Sequence, residues 1–283
     1  MDGGLDELKT YIGKSETARD VVTATTIGKL AATLDVDNPS PNAGDPVPFG
    51  WHGGFFPNFY RKSQMREDGQ MAGGLAPPVP LPRRRLMGTT STYQDALRIG
   101  DAITRKSEIA AIDIVDRGKG PTALITQRES ISSSRGLAVV DERATLYFGP
   151  DGPGKLDTPP PVPSNPAWKR TFECDPVMIW RLCAWRFNSH RIHFDRDYTT
   201  KIEGYPGIVV PITLVSQLML EMCRKELPRK KLASFGYRSI VTIEDTGPFT
   251  VVGQPSADGK SATFWAIKAE GQTAVAGEAR FAA

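Results

Sequence analysis

The sequence predicts an α+β protein made of two copies of one unit, each an antiparallel sheet curved around a helix, and three observations carry that prediction. A helix-forming apolar stretch followed by short alternating strands occurs twice along the chain. Between the two occurrences, Gly149 to Pro166 is too rich in Pro and Gly to be helix or central strand. Finally, TYQDALRIGD, ending at Asp101, and GYRSIVTIED, ending at Asp245, carry a Tyr, an apolar pair and an Asp in matching places. The expected organisation is a first unit over residues 1–149, a linker over 150–166 and a second unit over 167–283.

In the first unit TATTIGKLAATL, Thr23 to Leu34, is the expected helix, with strands after a long loop within TYQDALRIGDAITRKSEIAAI, ALITQRESIS and LAVVDERATLYF. In the second, DPVMIWRLCAWRF predicts a helix and VVPITLVSQLMLEMCRKEL, Val209 to Leu227, the main one, in which Leu214, Leu218 and Met222 recur at the spacing of a buried helical face. Strands are expected at SFGYRSIVTI, FTVVGQPS, SATFWAIKA and AVAGEARFA. Asp258-Gly259 and Glu270-Gly271 sit between alternating runs, and such glycines accept the positive φ of tight hairpins, so the sheet should be antiparallel.

Composition narrows the function. Thirty-five basic residues against 32 acidic ones, a net charge of +3 with no long block of one sign, give little reason to expect nucleic acid, although a mildly basic chain attracts a small anionic substrate. The polar, acidic MDGGLDELKT does not read as a signal peptide, and no apolar run approaches the ~20 residues of a membrane span, so a soluble, cytoplasmic protein is expected. Cys174, Cys183 and Cys223 form no CxxC pair and are odd in number, which predicts reduced thiols, the last two buried.

The chemical signal is FNSHRIHFDRDY, Phe187 to Tyr198, which holds two of the three histidines of the chain. His190 and His193, with Asn188 and Asp195 close by, supply neutral imidazoles, an amide and a carboxylate within one turn of chain, the groups needed to hold and deprotonate a water. A structural reading, with both imidazoles satisfied by backbone, competes with it. A metal site is disfavoured, because there is no HExxH, no cysteine at ligand spacing, and only His52 elsewhere. PLPRRR, with Arg83, Arg84 and Arg85, reads either as a solvated basic corner or as a clamp for an anionic part of a substrate. Trp51 and His52 in FGWHGGFF read either as core packing at a glycine bend or as the lining of a pocket.

At these residues the chain resembles a family. WRFNSHRIHFDRDYTTKIEGYPGIVV is similar to the MaoC-like, or (R)-specific, enoyl-CoA hydratases of the hotdog fold. Through TATTIGKLAATLD, PFGWHGGFF and GGLAPPVPLPRRRLMGTT the whole chain resembles their fused double-hotdog relatives of the mesaconyl-C4-CoA and itaconyl-CoA hydratase type. The resemblance implies a double hotdog, monomeric or homodimeric, with a degenerate helix in the first unit. It also implies a hydro-lyase without cofactor or metal, acting on a short branched or dicarboxylic enoyl-CoA such as mesaconyl-, itaconyl- or methylmalyl-type CoA.

The family's motif histidine falls on His193 and its aspartate on Asn188, which can orient a water but cannot take its proton. The resemblance therefore implies His193 as the principal base and acid, aided by Asp195 or His190. It places substrate-binding residues at Gly207, Ile212, His52 and the three arginines, which would meet CoA phosphates or a distal carboxylate. The N-terminus of the main helix would polarise the thioester carbonyl, although Pro211-Ile212 stands where relatives carry His-Gly. A (3R)-hydroxyacyl-ACP dehydratase or a non-catalytic acyl-thioester binding protein is the alternative. A thioesterase fits less well, since the helix offers no acid before Glu221.

Overall fold

The computed structural model describes residues 3–71, 73–156 and 158–282; Met1, Asp2 and Ala283, at the ends of the two expected units, Ala72, within the first, and Asp157, in the expected linker, lie outside them. One turn of helix, α1 (Gly3–Asp6), and a 3-10 turn at Glu7–Tyr11 lead into β1 (Ser15–Val21) and α2 (Ala24–Leu34). Helix α2 starts where the hydroxyl of extended Thr23 accepts the Thr26 N–H, and stops at Asp35, whose φ of 57° is left-handed. After a long connection come β2 (Arg83–Tyr93), β3 (Ala102–Asp116), β4 (Pro121–Ser133) and β5 (Gly136–Phe148). The second half repeats the opening with β6 (Trp168–Phe172) and α3 (Pro176–Arg186), capped by the Asp175 carboxylate on the Val177 N–H. It then adds α4 (Ile212–Glu226) before β7 (Leu232–Ser239), β8 (Phe249–Pro255), β9 (Ser261–Lys268) and β10 (Thr273–Phe281).

The ten strands form one sheet in the order β1-β3-β4-β5-β2-β7-β10-β9-β8-β6, every neighbouring pair antiparallel. Read outward from the β2–β7 junction, the two halves present equivalent strands in equivalent order, as two copies of one unit should. The hairpin glycines behave as their sequence predicts, with φ of 64° at Gly259 and 87° at Gly271.

Two expectations about the elements are corrected. The Thr23–Leu34 helix was expected to match the main helix, yet by position α2 matches α3, each following the first strand of its half, and α4 has no counterpart among the described residues. Apolar periodicity identifies a helix but not which of two helices it corresponds to. The first central strand also begins at Arg83, not near Thr92, and residues 94–101 are a connection. Three consecutive arginines hide the alternation of a strand, since only their positions, not their polarity, carry it.

Helix α4 lies against the concave face of β8–β10 with Leu214, Leu218, Met219 and Met222 buried. Its other side takes the loop of the first half, where Gln217 Nε2 donates to the Gly50 carbonyl at 2.8 Å, Arg224 to that of Phe49 at 2.9 Å, and Trp51 Nε1 to Glu221 at 3.1 Å. Trp51 is core, 1 % exposed.

Gly88 sits where β2 meets β7, and a Cβ there would run into the Tyr237 backbone carbonyl. Because backbone on both strands must shift, Gly88→Ala should cost about 1–3 kcal/mol of stability, read as a lower urea midpoint at unchanged slope. A midpoint equal to wild type would show that the junction is looser than this packing implies.

Candidate active site

The histidine loop starts at a helix end. Phe187 closes α3 in the left-handed region, φ 52°, so that the Asn188 N–H returns to the Cys183 carbonyl at 2.8 Å and the Asn188 side-chain oxygen accepts the His190 N–H at 3.1 Å. Arg191–His193 is a 3-10 turn. The next turn is held by Asp195, whose Oδ1 accepts the Tyr198 N–H at 3.0 Å and whose Oδ2 takes the Arg191 guanidinium at 2.8 Å. These bonds hold the Asp195 carboxyl below its ordinary pKa, the Tyr198 N–H contributing most. Asp195 therefore braces the loop, and both of its oxygens are engaged in doing so.

His193 Nδ1 lies 2.7 Å from the Val209 carbonyl oxygen. A carbonyl only accepts, so Nδ1 carries the proton and Nε2 presents its lone pair. The Val209 N–H returns to the Ile192 carbonyl at 2.9 Å, and this reciprocal pair ties the histidine to the segment that leads into α4. Burial lowers the His193 pKa, opposed in part by the bond to Val209. His190 stands edge-on to it, ring centroids 5.4 Å apart, and burial first, then the neighbouring His193, pushes His190 down to about 4. Both imidazoles are neutral at neutral pH.

Two residues beyond Val209, Pro211 precedes the first turn of α4, with no side chain capping it. The Leu214 and Val215 N–H groups bond to the Pro211 carbonyl, while those of Ile212 and Thr213 have no partner among the described residues. Two free donors and the positive end of the helix dipole thus stand beside the histidine segment.

A hairpin closed by the Met65–Met71 bridge braces the loop from outside. Arg191 N–H donates to the Asp68 carbonyl at 2.9 Å and Ser189 Oγ to that of Gly69 at 2.6 Å; Gly69, at φ 79°, must be glycine because a Cβ would strike the Ser189 carbonyl. Arg84 donates to Gln70 of this hairpin, and Arg85 to Ser239 Oγ at 3.2 Å. Arg83 and Arg84 are exposed and Arg85 is half-buried.

His52 lies outside this loop, on the 3-10 turn Trp51–Gly54. It is buried in the first half with Nε2 2.9 Å from Asp141 Oδ2, an internal pair. Gly207 has a steric task, since a Cβ there would lie 2.5 Å from the Asp245 oxygen that accepts the Ile208 N–H. The Asp68-Gly69 hairpin was not anticipated from sequence, although Asp-Gly between Met65 and Met71 is a turn signal. A cleft of about 210 Å³, lined by Leu220, Cys223 and Lys231 among others, lies at the far end of α4 from His193.

Comparison with known proteins bears on the same residues. The family model described as hydroxyacyl-thioester dehydratase type 2 matches residues 50–244. A mesaconyl-C(4)-CoA hydratase of Chloroflexus aurantiacus is 34% identical over 252 residues, 88% of this chain and 89% of that protein. The mitochondrial hydroxyacyl-thioester dehydratase type 2 of Schizosaccharomyces pombe is 31% identical over 116 residues, 40% of this chain and 38% of that one. Among solved structures, a MaoC-like dehydratase from Phytophthora capsici superposes with a TM-score of 0.66 at 14% identity, covering 98% of each chain. A Mycobacterium tuberculosis protein with a double hotdog fold does so with a TM-score of 0.57 at 12% identity, again over 98% of each. The matched region runs through both the histidine loop and the head of α4; the chain belongs to the hydroxyacyl-thioester dehydratase type 2 family and has the double hotdog fold.

Proposed function

We propose that this chain is a cytoplasmic, cofactor-independent hydro-lyase that adds water to, or removes it from, a short branched or dicarboxylic enoyl-CoA of the mesaconyl-C4-CoA type. One observation carries the reading: the Val209 carbonyl fixes His193 with Nε2 unprotonated, next to the two free N–H groups at the head of α4. In hydration Nε2 takes a proton from a bound water as its oxygen bonds to the β-carbon. The electron pair of the alkene moves onto the thioester oxygen, where the Ile212 and Thr213 N–H groups stabilise the enolate. The imidazolium then returns a proton to the α-carbon, leaving the base as it began. Asn188 and neutral His190 orient the water, and Arg83 and Arg84, exposed at the rim, meet the phosphates of CoA.

A thioesterase reading fails on the helix acid, because Glu221 is already bound to Trp51 and Arg224. The extent and identity of the Chloroflexus match support the CoA substrate, and the family description supports the dehydratase direction of the same chemistry.

The test follows enoyl-thioester absorbance with mesaconyl-C4-CoA and crotonyl-CoA. Loss of absorbance without thiol release is expected; thiol release would indicate a thioesterase, and turnover confined to carrier-protein thioesters a different substrate class. His193→Ala should lose ~10²–10⁴-fold in kcat while melting near the wild-type temperature. Activity within a few-fold of wild type would remove His193 from the mechanism.

The pH dependence follows from the neutral imidazoles. The folded pKa of His193 lies below the ordinary 6.5, so kcat/KM should hold level down through pH 6.5 and fall only at lower pH. Stability moves with it: between pH 6.5 and about 4 the unfolded chain binds more protons than the native one at His190, so stability is lost as pH falls through that window. Asn188→Asp keeps the acceptor for the His190 N–H and adds a negative charge, and should move the acid limb of kcat/KM upward. A limb that stays in place would separate Asn188 from the histidines.

A further inference from the structure

The internal face of the first half of the sheet carries charged side chains. Arg143 stands opposite Thr89, and Thr89 opposite Tyr237, in a row across β5, β2 and β7; the adjacent row is Glu129, Asp141, Ser91 and Phe235. Directly opposed residues share a face, and buried Phe235 marks this one as internal. Both acids here have side-chain partners, His52 Nε2 at 2.9 Å from Asp141 and Arg105 at 3.8 Å from Glu129. Arg143 has no hydrogen bond or carboxylate within ion-pair distance among the described residues.

A second guanidinium reaches the same face from α3. Arg186 is the last residue of that helix, two positions before Asn188, and it packs so closely on Gly53 that a Cβ there would collide with Nη1. At Gly54 the allowance is firmer, since a Cβ there would strike the Trp185 indole. Burial lowers the Arg186 pKa, and the like charge of Arg143 lowers it further, with Tyr237, Glu129 and Asp141 in electrostatic range. Arg186 also has no hydrogen bond or ion pair to the protein among the described residues, yet it keeps some accessible surface, as a side chain lining a crevice does.

Two half-buried guanidiniums beside each other, neither with a carboxylate within ion-pair distance among the described residues, are unfavourable unless a ligand supplies the charge. The guanidinium fork matches a carboxylate, and a carboxylate removed from water there is discriminated far more strongly than one left at the exposed Arg83 and Arg84. We infer that Arg186 and Arg143, with the Tyr237 hydroxyl, form the subsite for the distal carboxylate of a dicarboxylic acyl group, and that the exposed arginines do not. This deepens the hydro-lyase reading above and rests on it.

The experiment is a ratio with a binding readout beside it. kcat/KM for mesaconyl-C4-CoA over crotonyl-CoA is measured in wild type and in Arg186→Met, Arg143→Met and Arg84→Met, with calorimetric affinities for succinyl-CoA and butyryl-CoA on the same proteins. The ratio should fall about 30-fold or more in the first two variants, with preference for succinyl-CoA over butyryl-CoA falling in step, while Arg84→Met affects both members of each pair alike. An unchanged ratio in a folded Arg186→Met protein overturns the subsite. If that variant does not fold, Arg186→Lys keeps the charge without the fork and should still lower the ratio about 10-fold; no change there overturns it equally. Wild type that hydrates crotonyl-CoA but not mesaconyl-C4-CoA, and binds succinyl-CoA no better than butyryl-CoA, also overturns the subsite and leaves the hydro-lyase standing. Wild type that hydrates neither overturns the hydro-lyase reading, and the succinyl-CoA preference then decides the subsite alone.

Discussion

One helix serves both halves of the sheet, and the rest of the molecule is arranged around that constraint. Residues 24–34 and 176–186 are equivalent helices, but only the second half follows with α4, so a single apolar rod must fill its own half and face the other. Its packing is correspondingly two-sided. Leu214, Leu218, Met219 and Met222 enter the core, and Gly277 lies so near Met219 that a Cβ there would sit 3.2 Å from its sulfur. Toward the first half, α4 presents Gln217, Glu221 and Arg224, and each bonds the loop that carries Phe49, Gly50 and Trp51. The loop, in place of a helix, is what the first half contributes to the interior.

Fixing α4 also fixes the chemistry at its head. A helix whose first turn is capped by a side chain has spent its free donors; here Pro211 brings no capping group, and Ile212 and Thr213 keep theirs. Val209, just upstream, uses both backbone groups on the histidine turn, its N–H on Ile192 and its carbonyl on His193. The same short segment thereby sets the tautomer of the base and the position of the donors that would receive negative charge. Pro211 before the first turn and Ile212 within it leave these donors free, because backbone N–H groups depend on helix geometry more than on side-chain identity.

Much of this was legible in the sequence, for identifiable reasons. Strands β7 to β10 follow from alternation and from Gly259 and Gly271, and the main helix from its apolar spacing, because both are local signals. The histidine loop stood out because such a polar and aromatic mixture has no packing rationale in a connection. Asp195 was legible as a charged neighbour but not as a brace, since that role depends on Arg191 and the Tyr198 N–H being folded back on it. His52 could not be assigned to Asp141, 89 residues away, without the sheet that brings them together. Arg186 carried no signal, because a basic residue in the last turn of a helix is what the dipole favours anyway.

The two halves have thus diverged in what they bury. In the second, the face against α4 is hydrocarbon, with Val251, Phe264, Ala266 and Ala279 each essentially inaccessible. In the first, the corresponding face carries Asp141, Glu129, Arg105 and Arg143, an assembly that strand propensity alone would reject for an interior. Pairing accounts for the two acids, and the glycines at 53 and 54 account for how α3 comes close enough to add Arg186. What pairing does not account for is the positive charge of Arg143 and Arg186, since the two acids hold other partners and neither guanidinium has a carboxylate within ion-pair distance among the described residues. A hydrophobic interior would be the more stable solution for the apoprotein. That charge is intelligible if this half recognises an anion while the other half moves the proton, which gives the loss of the first central helix a chemical purpose: it opens an internal polar face beside a fixed base.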